Sequence, residues 1–311
     1  MAFPREFRLG ALFLVAGTGF GAIYFLFPAG GTPQRAIYDT IGGFAFLAIV
    51  WGIRTYRPRP VLPWLVFATG NALFVAGDAI FDLFPSTSTP SVADVLYLSA
   101  YPLFALSVLL LLFASEGHLR GEALVDAGIV TLAFAVFQWL FVMQPAIHSA
   151  GNLSQEIVYG LYPAMDIVLL GGYAGFFSSP AWRTPAFMFL VAGFATQLIG
   201  DEVVGLSNNA YQEGGWVDFT WMMSYVFWGA AVLHPTMREL SVPRRVAAVL
   251  VSRWRVALLA GALLAVPTAL VVAHARGDQI GLYEISALSA AISLLVVGRL
   301  SGVLRTMERI R

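Results

Sequence analysis

The sequence predicts an all-α polytopic membrane protein of about ten transmembrane helices arranged as five up-down hairpins. Two observations carry this. Of 311 residues, 59% are hydrophobic and 12% charged, about half the charge of an ordinary soluble domain, and mean hydropathy is +0.77. Ten stretches also approach the roughly 20 apolar residues that a membrane-crossing helix needs. They are 9–27, 36–53, 62–83, 93–113, 123–142, 155–177, 186–206, 216–233, 256–274 and 282–300. Breakers punctuate them: Pro28 with Gly30 and Gly31, Pro58 and Pro60, Pro85 and Pro90, Pro180 and Pro185. The first stretch is longer than a signal-peptide core and reads as a retained helix.

Arginine placement predicts orientation. With the N-terminus cytoplasmic, sixteen of the 18 basic residues fall in inner segments, and only Arg35 and Arg276 fall in outer ones. The positive-inside rule then puts both termini in the cytoplasm and the chain in the plasma membrane, with an even number of spans. The outer loops are too short to hold a domain, so an external stimulus has to act on the bundle itself.

Composition excludes several chemistries. Every basic residue is Arg, so no lysine amine can form a retinal or pyridoxal Schiff base. The absence of Cys removes disulfides, thiolate metal sites and iron–sulfur clusters. With 18 acidic and 18 basic residues, no basic field attracts nucleic acid. The four histidines share no helix face and none sits mid-membrane, which argues against bis-His haem and leaves the cofactor unknown. Trp51, Trp64, Trp139, Trp182, Trp216 and Trp254 flank span ends and read as an aromatic belt. No nucleophile–base pair or metal motif stands out, so the chain is not read as an enzyme.

A repeat of about 62 residues is suggested by Tyr101, Tyr162 and Tyr225, each in the second helix of a hairpin. Tyr38 shares the spacing in less similar surroundings. A sharper match pairs "VAGDAIFDLF" with "LIGDEVVGLS", each carrying Gly-Asp near its outer end, each followed by an acid opening the next helix, Asp94 and Asp218.

Ionisable residues inside spans are costly and require an explanation. Asp78, Asp82, Asp94, Glu156, Asp201, Glu202, Asp218 and Glu284 fall in the outer third, while Asp166 lies near the midplane. The helix macrodipole accounts for acids that open helices: Asp94, Glu156, Asp218 and Glu284. It does not account for Asp78 and Asp201 at helix C-termini, or for Asp166. The functional alternative is an outward-opening acidic pocket between the third, fourth, sixth, seventh and eighth helices. Its ligand-binding candidates are Asp78, Asp94, Tyr101, Tyr162, Asp166, Gln197, Asp201, Asp218 and Tyr225. Such a pocket suits a cation, a proton or a small hydroxylated ligand; alternatively, some of these acids are protonated and hydrogen-bonded to the tyrosines.

The last span continues without a breaker, so residues 1–300 form the bundle and 301–311 begin a cytoplasmic helix. Leu300, Val303, Leu304, Met307 and Ile310 make one apolar stripe, which reads as a homodimerising signalling helix. The runs "GNALFVAGDAIFDLF", "PSVADVLYLSAYP" and "GWVDFTWMMSYVFWGAAVLHPTMREL", with this exit helix, resemble the N-terminal multi-pass sensor domain of actinobacterial GGDEF/EAL signalling proteins. The resemblance covers most of residues 60–311 and implies a sensory input domain whose last helix drives a cyclic-di-GMP synthesis or degradation module. No GGDEF or EAL motif occurs in the chain, so that module is expected in a continuation, or else the chain is a stand-alone relative. The rival expectation is a small-solute or ion transporter using the acidic pocket around Asp166. The inner half is nearly free of acids except Asp126, which favours the sensor.

Overall fold

The computed structural model describes residues 8–84, 89–116, 121–176, 180–207, 211–242, 253–277 and 282–310. Among these residues the fold is all-helical. Helix α1 is Arg8–Ile23, α2 Thr32–Tyr56, α3 Leu62–Leu83 and α4 Val92–Glu116. Helix α5, Gly121–Gln138, passes through a π-helical turn, Trp139–Met143, into α6, Gln144–Ser149. Then come α7, Leu153–Phe176, α8, Pro185–Leu206, α9, Trp216–Val232, α10, Arg253–Arg276, and α11, Leu282–Ile310.

Eight helical segments are long and apolar enough to cross a membrane: α1 to α4, α5 with α6, α7, α8 and α11. By the same measure α9, with 17 residues, and the described apolar part of α10, Ala260–Arg276, fall short. Large apolar side chains point outward along these segments, among them Leu12, Val15, Leu47, Leu65 and Leu294, as expected of surfaces that meet lipid chains.

Two packing units lie side by side, with α5 of the smaller one packed on α7 of the larger. The larger core draws Trp64, Phe67, Phe104, Phe187, Met222 and Trp228 from α3, α4, α8 and α9, joined by residues of α1, α2 and α7. The smaller one joins Ile129 and Val136 of α5 to Val266 of α10 and Ile292 of α11. The expected hairpins α3–α4 and α8–α9 are dense units, but α1 and α2 pack mainly on α9, and α10 and α11 mainly on α5. For α1 and α2 small residues explain the difference, because they let helix backbones approach closely. A Cβ added to Gly52 of α2 would lie 2.3 Å from the Val232 carbonyl oxygen of α9. Gly52→Ala is therefore expected to destabilise the bundle by about 2 kcal/mol, read as a lower unfolding midpoint in detergent.

Trp64 does not belong to the aromatic belt. It is fully buried, whereas Trp51 and Trp216 are exposed. At the same end of the bundle, the segment after α9 forms a 3₁₀ turn, Pro235–Ser241, whose Met237 and Leu240 are fully buried. His234 caps this turn by accepting the Thr236 N–H, and Thr236 Oγ1 accepts the Ala186 N–H that opens α8. Burial lowers the His234 pKa and so favours the neutral, accepting imidazole.

Candidate ligand-binding cavity

The hairpins α3–α4 and α8–α9 are built alike. Gly70 and Gly77 of α3 lie under Phe104 and Tyr97 of α4, and Gly193 and Gly200 of α8 lie under Trp228 and Trp221 of α9. A Cβ on Gly77 would sit 2.5 Å from Tyr97, and one on Gly200 2.4 Å from Trp221. Bare backbone at these points lets the aromatic ring approach the facing helix closely. Corresponding positions are 123 or 124 residues apart throughout, and in each hairpin the second glycine is followed by aspartate.

Those two aspartates link the hairpins reciprocally. Asp78 accepts from Tyr97 Oη of its own hairpin at 2.8 Å and from Tyr225 Oη of the other. Asp201 accepts from Trp221 Nε1 of its own hairpin at 2.9 Å and from Tyr101 Oη of the other at 3.0 Å. A second layer repeats as well. Tyr38 of α2 meets Tyr225 edge-on at 6.3 Å, and Tyr162 of α7 meets Tyr101 edge-on at 6.1 Å. Mutual exchange of the same contacts is the signature of a two-fold-related pair. The contacts thus recur at twice the 62-residue spacing. Tyr162 is not a third copy of Tyr101 and Tyr225, because its hydroxyl goes to Asp94 at 2.9 Å rather than to a Gly-Asp carboxylate.

Between the hairpins lies one cavity of about 360 Å³, within the size range of small-molecule sites. All nine candidates line it: Asp78, Asp94, Tyr101, Tyr162, Asp166, Gln197, Asp201, Asp218 and Tyr225. Gly30, Thr89, Tyr211 and Glu213 from the connecting loops also line it, which places its mouth at that end of the bundle. Among the described lining residues, eight are carboxylates, the nine-residue set's five joined by Asp82, Glu202 and Glu213, and the one base is Arg35. Arg35 Nη2 lies 2.7 Å from Glu213, and its Nε lies 3.8 Å from Asp82, so the Asp166, Asp201 and Glu202 side of the cavity has no counter-cation within salt-bridge reach among the described residues.

Several residues combine a structural and a lining role. Asp94 forms a capping box with Ser91, accepting its N–H at 2.7 Å while Ser91 Oγ accepts the Asp94 N–H. Asp218 accepts from Gly214 N–H at 2.7 Å, from Tyr211 Oη at 2.6 Å and from Tyr24 Oη. Tyr211 lies in the loop before α9. Burial and the adjacent Asp218 carboxylate raise its pKa, so its hydroxyl remains a donor. Gln197 donates to Asp201 and accepts from Ser224 Oγ at 3.1 Å. Asp166 differs from all of these. It is 2% exposed, and its Oδ1 has no hydrogen-bond partner among the described residues.

The cavity extends beyond the five expected helices. The end of the first span adds Tyr24, α2 adds Gln34, Arg35 and Tyr38, and the α5–α6 segment adds Gln138, Val142 and Ala146. Gln138 is almost wholly buried and donates to Glu202 at 2.6 Å. It immediately precedes the π turn, whose sequence cause is Pro145, which has no N–H to offer a carbonyl one turn back. The signal that could have found the turn is this proline just past a buried glutamine inside one apolar run. Asn71, also fully buried, lies outside the cavity lining, and so does Glu156. The side chain of Glu284 lies outside the described residues. No group of three His, Cys, Asp or Glu side chains is arranged to hold a metal ion among the described residues.

Comparison of the chain with protein-family models, curated proteins and solved structures gives no match.

Proposed function

We infer that this chain is a membrane-embedded input domain that senses a small ligand in the cavity and transmits its presence through α11. The reading includes ten spans, both termini in the cytoplasm and the plasma membrane as its location, supported by the arginine distribution. It also includes pairing of two chains through α11 and, following the GGDEF/EAL resemblance, a cyclic-di-GMP module as the output. Leu300 of the expected stripe is half-exposed, while the side chains of Val303, Leu304, Met307 and Ile310 lie outside the described residues.

One observation carries the reading. Helix α5 touches both the cavity and the exit helix. Gln138 at its end binds Glu202 on the cavity wall, and Asp126 near its start pairs with Arg299 of α11, Nε to Oδ1 at 2.7 Å. The π turn lies directly beside the cavity in the same helix. Such turns occur mostly at functional sites, and a change between π and α geometry there shifts the register of the helix past its neighbours. A ligand moves the output only by binding two such arrangements unequally, and the π turn of α5 is the element proposed to change between them.

Asp166, whose Oδ1 has no hydrogen-bond partner among the described residues, favours a second reading, a small-solute or ion transporter. The two are separated with a single thiol, which is clean in a chain that has no other cysteine. In nanodiscs, Leu300→Cys is labelled with a maleimide in the otherwise natural chain and with Gln138→Ala added. The sensor reading expects the labelling rate at position 300 to change several-fold, with Leu12→Cys on α1 as the unmoved reference. Equal rates at position 300, with solute uptake into liposomes, would replace the sensor by the transporter.

A further inference from the structure

We propose that the cavity takes an organic cation with two amino groups, one end seated at Asp78 and the other at Asp201. The proposal rests on the cavity being the ligand site of the input domain, and it names the chemistry of the occupant.

Charge gives the sign. The lining carries a large excess of carboxylates over its one arginine. Without a counter-cation buried acids give up their charge by taking protons; an ammonium group compensates the ionised form directly, and in a low-dielectric interior opposite charges attract far more strongly than in water. Asp166 is an independent pointer to a ligand's donor. Its buried Oδ1 accepts no hydrogen bond among the described residues, which is costly, and it lines this cavity. An ammonium group beside it would supply both a donor and a counter-charge.

Arrangement gives the number of charges. No three of the acids are arranged to hold a metal ion among the described residues, and a compact divalent metal ion needs several oxygens converging on one point. Carboxylates that belong to two centres suit separated charges on one flexible molecule. The reciprocal build of the hairpins sets how many. Asp78 with its tyrosines and Asp201 with Trp221 and Tyr101 are two centres of the same construction. Each presents a carboxylate together with aromatic rings, and a ring face attracts an ammonium group as the carboxylate does. At Asp78, Tyr97 takes Oδ1 and Tyr225 takes Oδ2, leaving about two of the roughly four acceptor positions of a carboxylate free for an incoming donor, while at Asp201 the donors Trp221, Tyr101 and Gln197 leave about one. A monoamine can satisfy one centre, whereas a diamine satisfies both.

The test is equilibrium binding to the full chain in nanodiscs of zwitterionic lipid, where amines find no anionic headgroups. The probes are 1,4-diaminobutane and 1,5-diaminopentane, with butylamine, butane-1,4-diol and magnesium chloride beside them. Saturable binding of a diamine, at least about tenfold tighter than butylamine and with no binding of the diol, is the expected result. Asp78→Asn and Asp201→Asn are each expected to weaken the diamine by at least about tenfold while changing butylamine less. Butylamine bound as tightly as the diamines, displacement of the diamine by magnesium, equal binding of the diol, or no diamine binding at millimolar concentration would each overturn the proposal. The ligand series on the unaltered chain decides the matter even where a variant fails to fold. A diamine that binds without altering labelling at position 300 leaves the ligand class standing and removes the sensor reading. Labelling that responds to Gln138→Ala in a chain that binds no amine does the reverse.

Discussion

Asp126→Asn is expected to loosen α11 from the bundle and to lower stability by about 3 kcal/mol, the lower end of the cost of breaking a buried ion pair. The side chain of Arg299 is 6% exposed and that of Asp126 19%. Removing the carboxylate therefore takes from the guanidinium its partner at 2.7 Å in a poorly solvated place. The lower end applies because a long arginine side chain can reach toward the nearby headgroups. The sign of a companion variant separates charge from packing. Asp126→Leu combined with Arg299→Met removes both charges and fills the space, and it is expected to recover most of the loss. Unfolding in mixed micelles measures both. If Asp126→Asn unfolds with the natural midpoint, the ion pair does not hold α11, and the transmission route through α5 loses its inner end.

Asp201→Ala is expected to cost about 2–3 kcal/mol, because three donors lose their acceptor at once. Tyr101 Oη, Trp221 Nε1 and Gln197 Nε2 all converge on this carboxylate. Each stranded buried donor costs about 1–3 kcal/mol, and water entering the cavity recovers part of the sum. Asp166→Leu provides the contrast. Its Oδ1 serves no donor among the described residues, so replacing it by an apolar side chain of similar size is expected to leave the empty protein as stable or more so. Thermal unfolding of the two variants side by side reads this difference. A large loss from Asp166→Leu would mean that the carboxylate is structural and would weaken the case for an occupant beside it. A group that the fold does not need, kept in a costly position, is the usual mark of a site maintained for function.

Much of this was legible from local pattern. Hydropathy is summed over consecutive residues, so the placement of apolar helices follows from the chain alone. The cost of a charge in an apolar run is likewise local, and that is why all nine candidate residues, picked as polar groups within or beside apolar runs, line one cavity. The Gly-Asp match between "VAGDAIFDLF" and "LIGDEVVGLS" is sequence-level information too, and it marks the two carboxylates on which the hairpins are joined.

What only the tertiary structure decided is which groups meet. Tyr225 reaches Asp78 across 147 positions and Tyr101 reaches Asp201 across 100. No periodicity encodes such pairings; they depend on how closely one helix may approach another, which is set where a glycine faces an aromatic ring or a carbonyl. For the same reason Trp64, which resembles a belt residue by its position near a span end, is buried in the core. Helices α1 and α2 pack on α9 more than on each other, since the close backbone contact at Gly52 is with α9. The sequence by itself determined an apolar helical chain with an acidic, tyrosine-bearing set of positions near helix ends, because those properties are carried residue by residue. Packing determined that the acids form two matching centres in one cavity and that α5 joins the cavity to the exit helix, because contacts between distant segments are chosen by shape complementarity.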